Sequence, residues 1–130
     1  MNHSIQNKFT GKKFALWVEN LMSRTRLMGL CSQIRITAET VSSFDEAFLF
    51  LKNNPEGIMI IDLENRQIDF EQLKSGINEE EQMGNRIIGF FPHVEIGLKN
   101  RAKEAGIGHI VPRSVVFGDL SGSLERVIKG

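Results

Sequence analysis

No disulfide can form within this chain, because Cys31 is its only cysteine, and one thiolate is too few for a cysteine zinc cluster. That usage points to the cell interior. Neither charge is in excess either: 16 basic residues balance 16 acidic ones, so the net positive field that draws proteins to nucleic acid or anionic membranes is missing. No nucleic-acid or membrane partner is expected. No segment approaches the roughly 20 apolar residues that span a bilayer, and the opening MNHSIQNKFTGKK has no apolar core of a signal peptide. The expected location is the cytoplasm. Tyrosine is absent altogether.

What is present is enough for one core. A chain of 130 residues falls in the size range that buries about two thirds of its unfolded surface. The expected organisation is a flexible polar lead-in over residues 1–12 and a single domain over residues 13–130. Short apolar runs alternate with longer stretches of helical spacing, the pattern of a parallel sheet covered on both faces.

The alternation reads as five strand-then-helix units. KFALWVE (13–19) is a continuous apolar strand, followed by a helix over about 20–33 with Leu21, Met28 and Cys31 on its inner stripe. Trp17 is read as core. AETVSS gives a weaker second strand. Ser43, with Glu46 three residues on, opens the helix FDEAFLFLKN as a capping box, and NPEG (54–57) turns the chain into GIMIIDLENR. After Asp62 come a short helix around 69–77, an exposed acidic loop NEEEQMGN, and a fourth strand RIIGFF (86–91). A helix over about 94–105 buries Leu98, Ala102 and Ala105 and ends at a left-handed Gly106. GHIV is the fifth strand, and DLSGSLERVIK is a last amphipathic helix with Leu120, Leu124, Val127 and Ile128 inward. Five such units with right-handed crossovers make an α/β doubly wound parallel sheet of the flavodoxin-like kind, five strands with five helices.

Ligands of such sheets sit outside the carboxyl ends of the strands. That rule selects Glu19 and Asn20 after strand one, Asp62 after strand three, Phe91, Pro92 and His93 after strand four, and Pro112, Arg113 and Ser114 after strand five. Two carboxylates with an amide and backbone carbonyls are hard oxygen donors suited to Mg²⁺. The same residues also fit plain polar strand ends facing water. VENLMSR contains no glycine, so a glycine-rich phosphate loop after strand one is excluded and a nucleotide- or flavin-binding relative is disfavoured.

An acid ending strand one, a lone aspartate ending strand three, and the AG that closes helix four before strand five resemble the receiver domain of bacterial two-component response regulators, over about residues 13–129. The resemblance implies the strand order 2-1-3-4-5. It implies that Asp62 occupies the phosphoacceptor position and that Glu19, Asn20, Asp62 and the carbonyl of Glu64 occupy the Mg²⁺ positions. It implies a histidine kinase or a downstream signalling protein as partner, and a homodimer through helix four, strand five and helix five.

The same comparison exposes departures. The acidic pair is Glu19 and the amide Asn20, which reduces the charge offered to Mg²⁺. Phe91 stands where receivers carry a Ser or Thr, His109 where they carry an aromatic switch residue, and Pro112 (or Val111) where they carry a Lys. His93 and Arg113 are nearby candidates to neutralise Asp62 in place of a phosphoryl group and Lys, although His93 could equally cap helix four. The expected function is therefore a divergent pseudo-receiver with impaired phosphoacceptor chemistry, acting by protein contact and not as an enzyme. Two alternatives stand beside it: an active receiver phosphorylated on Asp62 with Mg²⁺, and a small enzyme using Glu19, Asp62, His93 and Arg113.

Overall fold

The computed structural model describes residues 8–130. Strands β1 (Phe14–Trp17), β2 (Ala38–Thr40), β3 (Ile58–Asp62), β4 (Ile87–Phe91) and β5 (His109–Pro112) form one parallel sheet in the order β2-β1-β3-β4-β5. The helices are α1 (Leu21–Gln33), α2 (Phe44–Asn53), α3 (Phe70–Ile77), α4 (Ile96–Ala105), α5 (Arg113–Gly118) and α6 (Leu120–Lys129), with a 3-10 turn over Met83–Arg86. The flavodoxin-like order expected from the resemblance is the one observed. Among the described residues the helix count is six where five were expected, because the chain after β5 turns at once into α5, breaks at Asp119, and caps α6 with the Asp119 side chain on the Gly122 N–H.

Alternation along the strands divides the core in two. Phe14, Leu16, Ile58, Ile60, Ile88 and Phe90 face α1, α5 and α6, meeting Leu27, Cys31, Val116 and Leu124. Trp17, Met59, Ile61, Ile87 and Phe91 face α2, α3 and α4, meeting Phe50, Leu51, Leu73 and Ala102. Trp17 fills core as expected, edge-on to Phe44 at 4.9 Å between centroids. Burial on both faces is why β3 reads as an unbroken apolar run and not as alternating.

Several boundaries and faces differ from the sequence expectation. On α1 the buried stripe is Ser23, Leu27 and Cys31, whereas Leu21 and Met28 are exposed; at α6, Ile128 is also exposed. The stripe shifted because an i, i+4, i+8 row beginning at Ser23 meets the sheet, and Ser23 is small enough to sit against it. Part of the lead-in expected over residues 1–12 belongs to the packed domain. Residues 1–7 lie outside the described residues, while Phe9 is buried in the core, edge-on to Phe14, and Lys8 pairs with Glu125. The loop NEEEQMGN is not exposed throughout, since Met83 and Gly84 are buried. Ser43 caps α2 through Glu46 N–H as expected, but Glu46 returns its bond to Ser42 N–H, one residue earlier than a capping box requires. Among the described residues no helix is long and apolar enough to cross a membrane.

Arg86 staples this region. Its guanidinium donates to the carbonyls of Leu51, Asn54 and Gly57 at 2.9–3.0 Å, closing the end of α2 and the turn before β3. Beside it, a Cβ on Gly84 would collide with the Gly106 carbonyl, and Gly106 itself needs its φ of +101° to end α4. Arg86→Met is expected to lower unfolding free energy by about 2–4 kcal/mol in urea titration, because three carbonyls lose a charged donor together. Gly84→Ala should cost about 1–3 kcal/mol in the same measurement.

Candidate functional site

Five parallel strands put their carboxyl ends on one edge, and among the described residues Asp62 is the only charged side chain there that is buried, 5% exposed. It follows Ile60 on the α1/α5 face by alternation, and the register pairs it with Phe90 of β4. Asp62 Oδ1 accepts the Glu64 N–H at 2.9 Å, and the Asn65 N–H closes a turn on the Asp62 carbonyl at 3.1 Å. Asn65 is buried too; its Oδ1 accepts the Gln67 N–H.

Burial is the largest influence on Asp62 and pushes its carboxyl above the ordinary value of 3.8; the Glu64 N–H opposes the rise, Glu64 and Glu19 add to it, and the Arg113 charge opposes it. No ion pair within 4 Å joins Asp62 to a cation among the described residues. His93 and Arg113 therefore do not neutralise Asp62 by direct contact, as the sequence had offered. Arg113 acts on it at longer range only.

The cause is that Arg113 is held elsewhere. It begins α5, its Nη2 donates to Ser23 Oγ at 2.7 Å, and its Cζ lies 4.2 Å from the Phe117 ring centroid and 5.7 Å from that of Phe90. Ser23 is itself positioned by Asn20, whose Oδ1 accepts the Ser23 N–H at 2.9 Å as the N-cap of α1. Asn20 thus spends its oxygen on the helix. Glu19 and Glu64 are exposed. Among the described residues no three His, Cys, Asp or Glu side chains gather as a metal site. The side-chain oxygen donors at this edge are the carboxylates of Asp62 and Glu19 and the amide of Asn20.

The remaining positions spread apart. Phe91 is buried on the opposite face of the sheet from Asp62, and Phe90 is the ring that stands beside the aspartate. Pro112 ends β5 level with Phe91, whereas His109 pairs with Ile88, three residues back from the site edge. His109 lies in the half-buried start of β5, and burial holds its pKa below the ordinary value. His93 is exposed on the turn after β4. Ser23, Phe90 and Phe117 were not singled out from sequence; their roles depend on packing between α1, β4 and α5, for which no local pattern exists.

Comparison with known proteins gives the fold a context. No protein-family model and no curated protein matches the chain. Among solved structures, the chain is similar to the receiver domain of the sensor histidine kinase PA1611 from Pseudomonas aeruginosa, which has a magnesium ion coordinated in its active-site cleft: TM-score 0.75, 16% identity, covering 92% of this chain and 99% of that one. It is similar to the signal receiver domain of a histidine kinase from Syntrophus aciditrophicus, with a TM-score of 0.71, 14% identity and 91% and 90% coverage. It also matches the Saccharomyces cerevisiae complex of the phosphotransfer protein Ypd1 with the receiver domain of the response regulator Ssk1, with a TM-score of 0.68, 17% identity and 86% and 85% coverage. The fold is that of response-regulator receiver domains.

Because burial raises the folded pKa of Asp62, its protonated form is favoured in the native state. Its contribution to stability is present in full below 3.8 and is lost as pH rises through the folded value. Asp62→Asn should therefore raise Tm at pH 7, with the gain over the unsubstituted chain shrinking as pH falls toward 3.8 in thermal melts.

Proposed function

We propose that the chain is a receiver-like domain of two-component signalling whose phosphoacceptor chemistry is impaired, and that it acts through protein–protein contacts and not as an enzyme. The observation that carries this reading is that the second member of the acidic pair is the uncharged amide Asn20, whose Oδ1 already accepts the Ser23 N–H. Magnesium binding would consequently be weak. Two further observations support it: neither Phe90 beside Asp62 nor Phe91 behind it offers a hydroxyl, and Arg113 is turned toward Ser23 and Phe117.

The partner in this reading is a histidine kinase or a downstream signalling protein. The face of α4, β5 and α6 is a candidate for self-association, since β5 is a half-buried edge strand. A cytoplasmic, bacterial setting goes with such a partner.

A second reading is favoured by one observation, the Arg113 charge acting on Asp62. In an active receiver, Arg113 would rotate from Ser23 to a phosphoryl group on Asp62, where a guanidinium binds as a fork and not as a point charge. An enzyme of Glu19, Asp62, His93 and Arg113 finds less support, because the groove at this edge is lined by His93 and Arg113 but by neither acid.

Incubation with acetyl phosphate or beryllofluoride and Mg²⁺ separates the readings. The impaired domain gives no covalent adduct by intact mass and no Mg²⁺-dependent change in Trp17 fluorescence. An adduct that disappears in Asp62→Asn overturns it. Asn20→Asp keeps an N-cap and adds a carboxylate, so Mg²⁺ binding read from Trp17 should tighten on the order of tenfold, about one charge-assisted contact.

A further inference from the structure

Beside the Asp62 site, between α1, α5 and the turn after β4, a groove of about 460 Å³ is lined by Arg26, His93, Arg113, Ser114 and Phe117. Its volume lies within the range of small-ligand sites. The charge that lines it is positive. Arg26 and Arg113 place their guanidinium carbons 4.9 Å and 4.2 Å from the centroid of the same buried ring, Phe117, and neither has a carboxylate within 4 Å among the described residues. No acidic residue lines the groove.

Two guanidiniums on one ring repel each other, and the ring's negative face only partly offsets that. What distinguishes this pair from other unpaired cations is that both guanidiniums lie over one ring and line one groove. The arrangement leaves two fork-shaped donors with no carboxylate partner among the described residues, and such donors match the tetrahedral oxygens of phosphate.

We propose that this groove binds a phosphate oxyanion, as inorganic phosphate or a phosphate monoester, between Arg26 and Arg113 over Phe117, with His93 and Ser114 at its rim. The site is separate from the acceptor carboxylate and goes beyond the signalling role, since it needs no reaction at Asp62. Arg113 keeps its bond to Ser23 Oγ through Nη2 and offers its remaining N–H groups to the groove.

Titration of the ¹⁵N-labelled full chain with inorganic phosphate, against sodium chloride of equal ionic strength, tests this. Shifts should centre on residues 26, 93 and 113–118. Arg26→Gln should weaken binding by about tenfold or more, as for one lost charge-assisted contact, and Arg26→Lys should fall between. Arg26 is exposed, so both variants should keep the native amide spectrum. Asp62→Asn, which abolishes any acceptor chemistry, should retain or tighten phosphate binding, because it removes a negative charge near Arg113. Tighter binding of O-phosphoserine than of inorganic phosphate assigns the groove to a monoester, and the reverse order assigns it to the free ion. The proposal is overturned if phosphate shifts no more than chloride, if Arg26→Gln leaves binding unchanged, or if binding vanishes in Asp62→Asn.

Discussion

The structure turns on the cost of burying polar groups in a parallel sheet that is covered on both faces. Within β1, β3 and β4 every residue before the strand end is apolar and buried or, at Gly89, without a side chain, because helices close both sides. Polar chemistry is thereby confined to the carboxyl edge. Asp62 is the first residue of β3 at which a carboxylate can exist, and it is still buried enough for desolvation to dominate its titration. Everything around it is arranged by what that edge allows: a backbone N–H from Glu64, a turn closed by Asn65, and one cation at a distance.

The distance of that cation follows from helix capping and aromatic packing, and not from the aspartate. Asn20 caps α1 and fixes Ser23; Ser23 takes the Arg113 guanidinium, which lies over the rings of Phe117 and Phe90. Each link is ordinary. Together they draw the positive charge of the edge away from Asp62 and toward the groove shared with Arg26. The Arg113 side chain is thus part of a neighbouring surface, although its charge still reaches Asp62.

Much of this was readable in the residues. Continuous apolar runs marked β1, β3 and β4, Ser43 and Glu46 marked the start of α2, and Gly106 marked the end of α4, because these signals are local: each depends on residues a few positions apart. The strand order came from resemblance, and the sheet has that order. The errors share a cause. Leu21 and Met28 were assigned inward and Ser23 was overlooked because a stripe of apolar residues cannot say which of two adjacent helical rows meets the sheet. α5 was missed because VPRSVVFG is too short to show a helical period.

At the site the division is similar. The position of Asp62 at the end of an apolar strand was written in ten consecutive residues, and so was the absence of a hydroxyl at Phe91. The destinations of Asn20, Arg113 and Arg26 were not, since they depend on Ser23, Phe90 and Phe117, which are brought together from α1, β4 and α5. Periodicity follows from backbone geometry and survives in any window of the chain. The partner of a long charged side chain follows from which surfaces meet in space, and that is settled only when the two halves of the core have closed on the sheet.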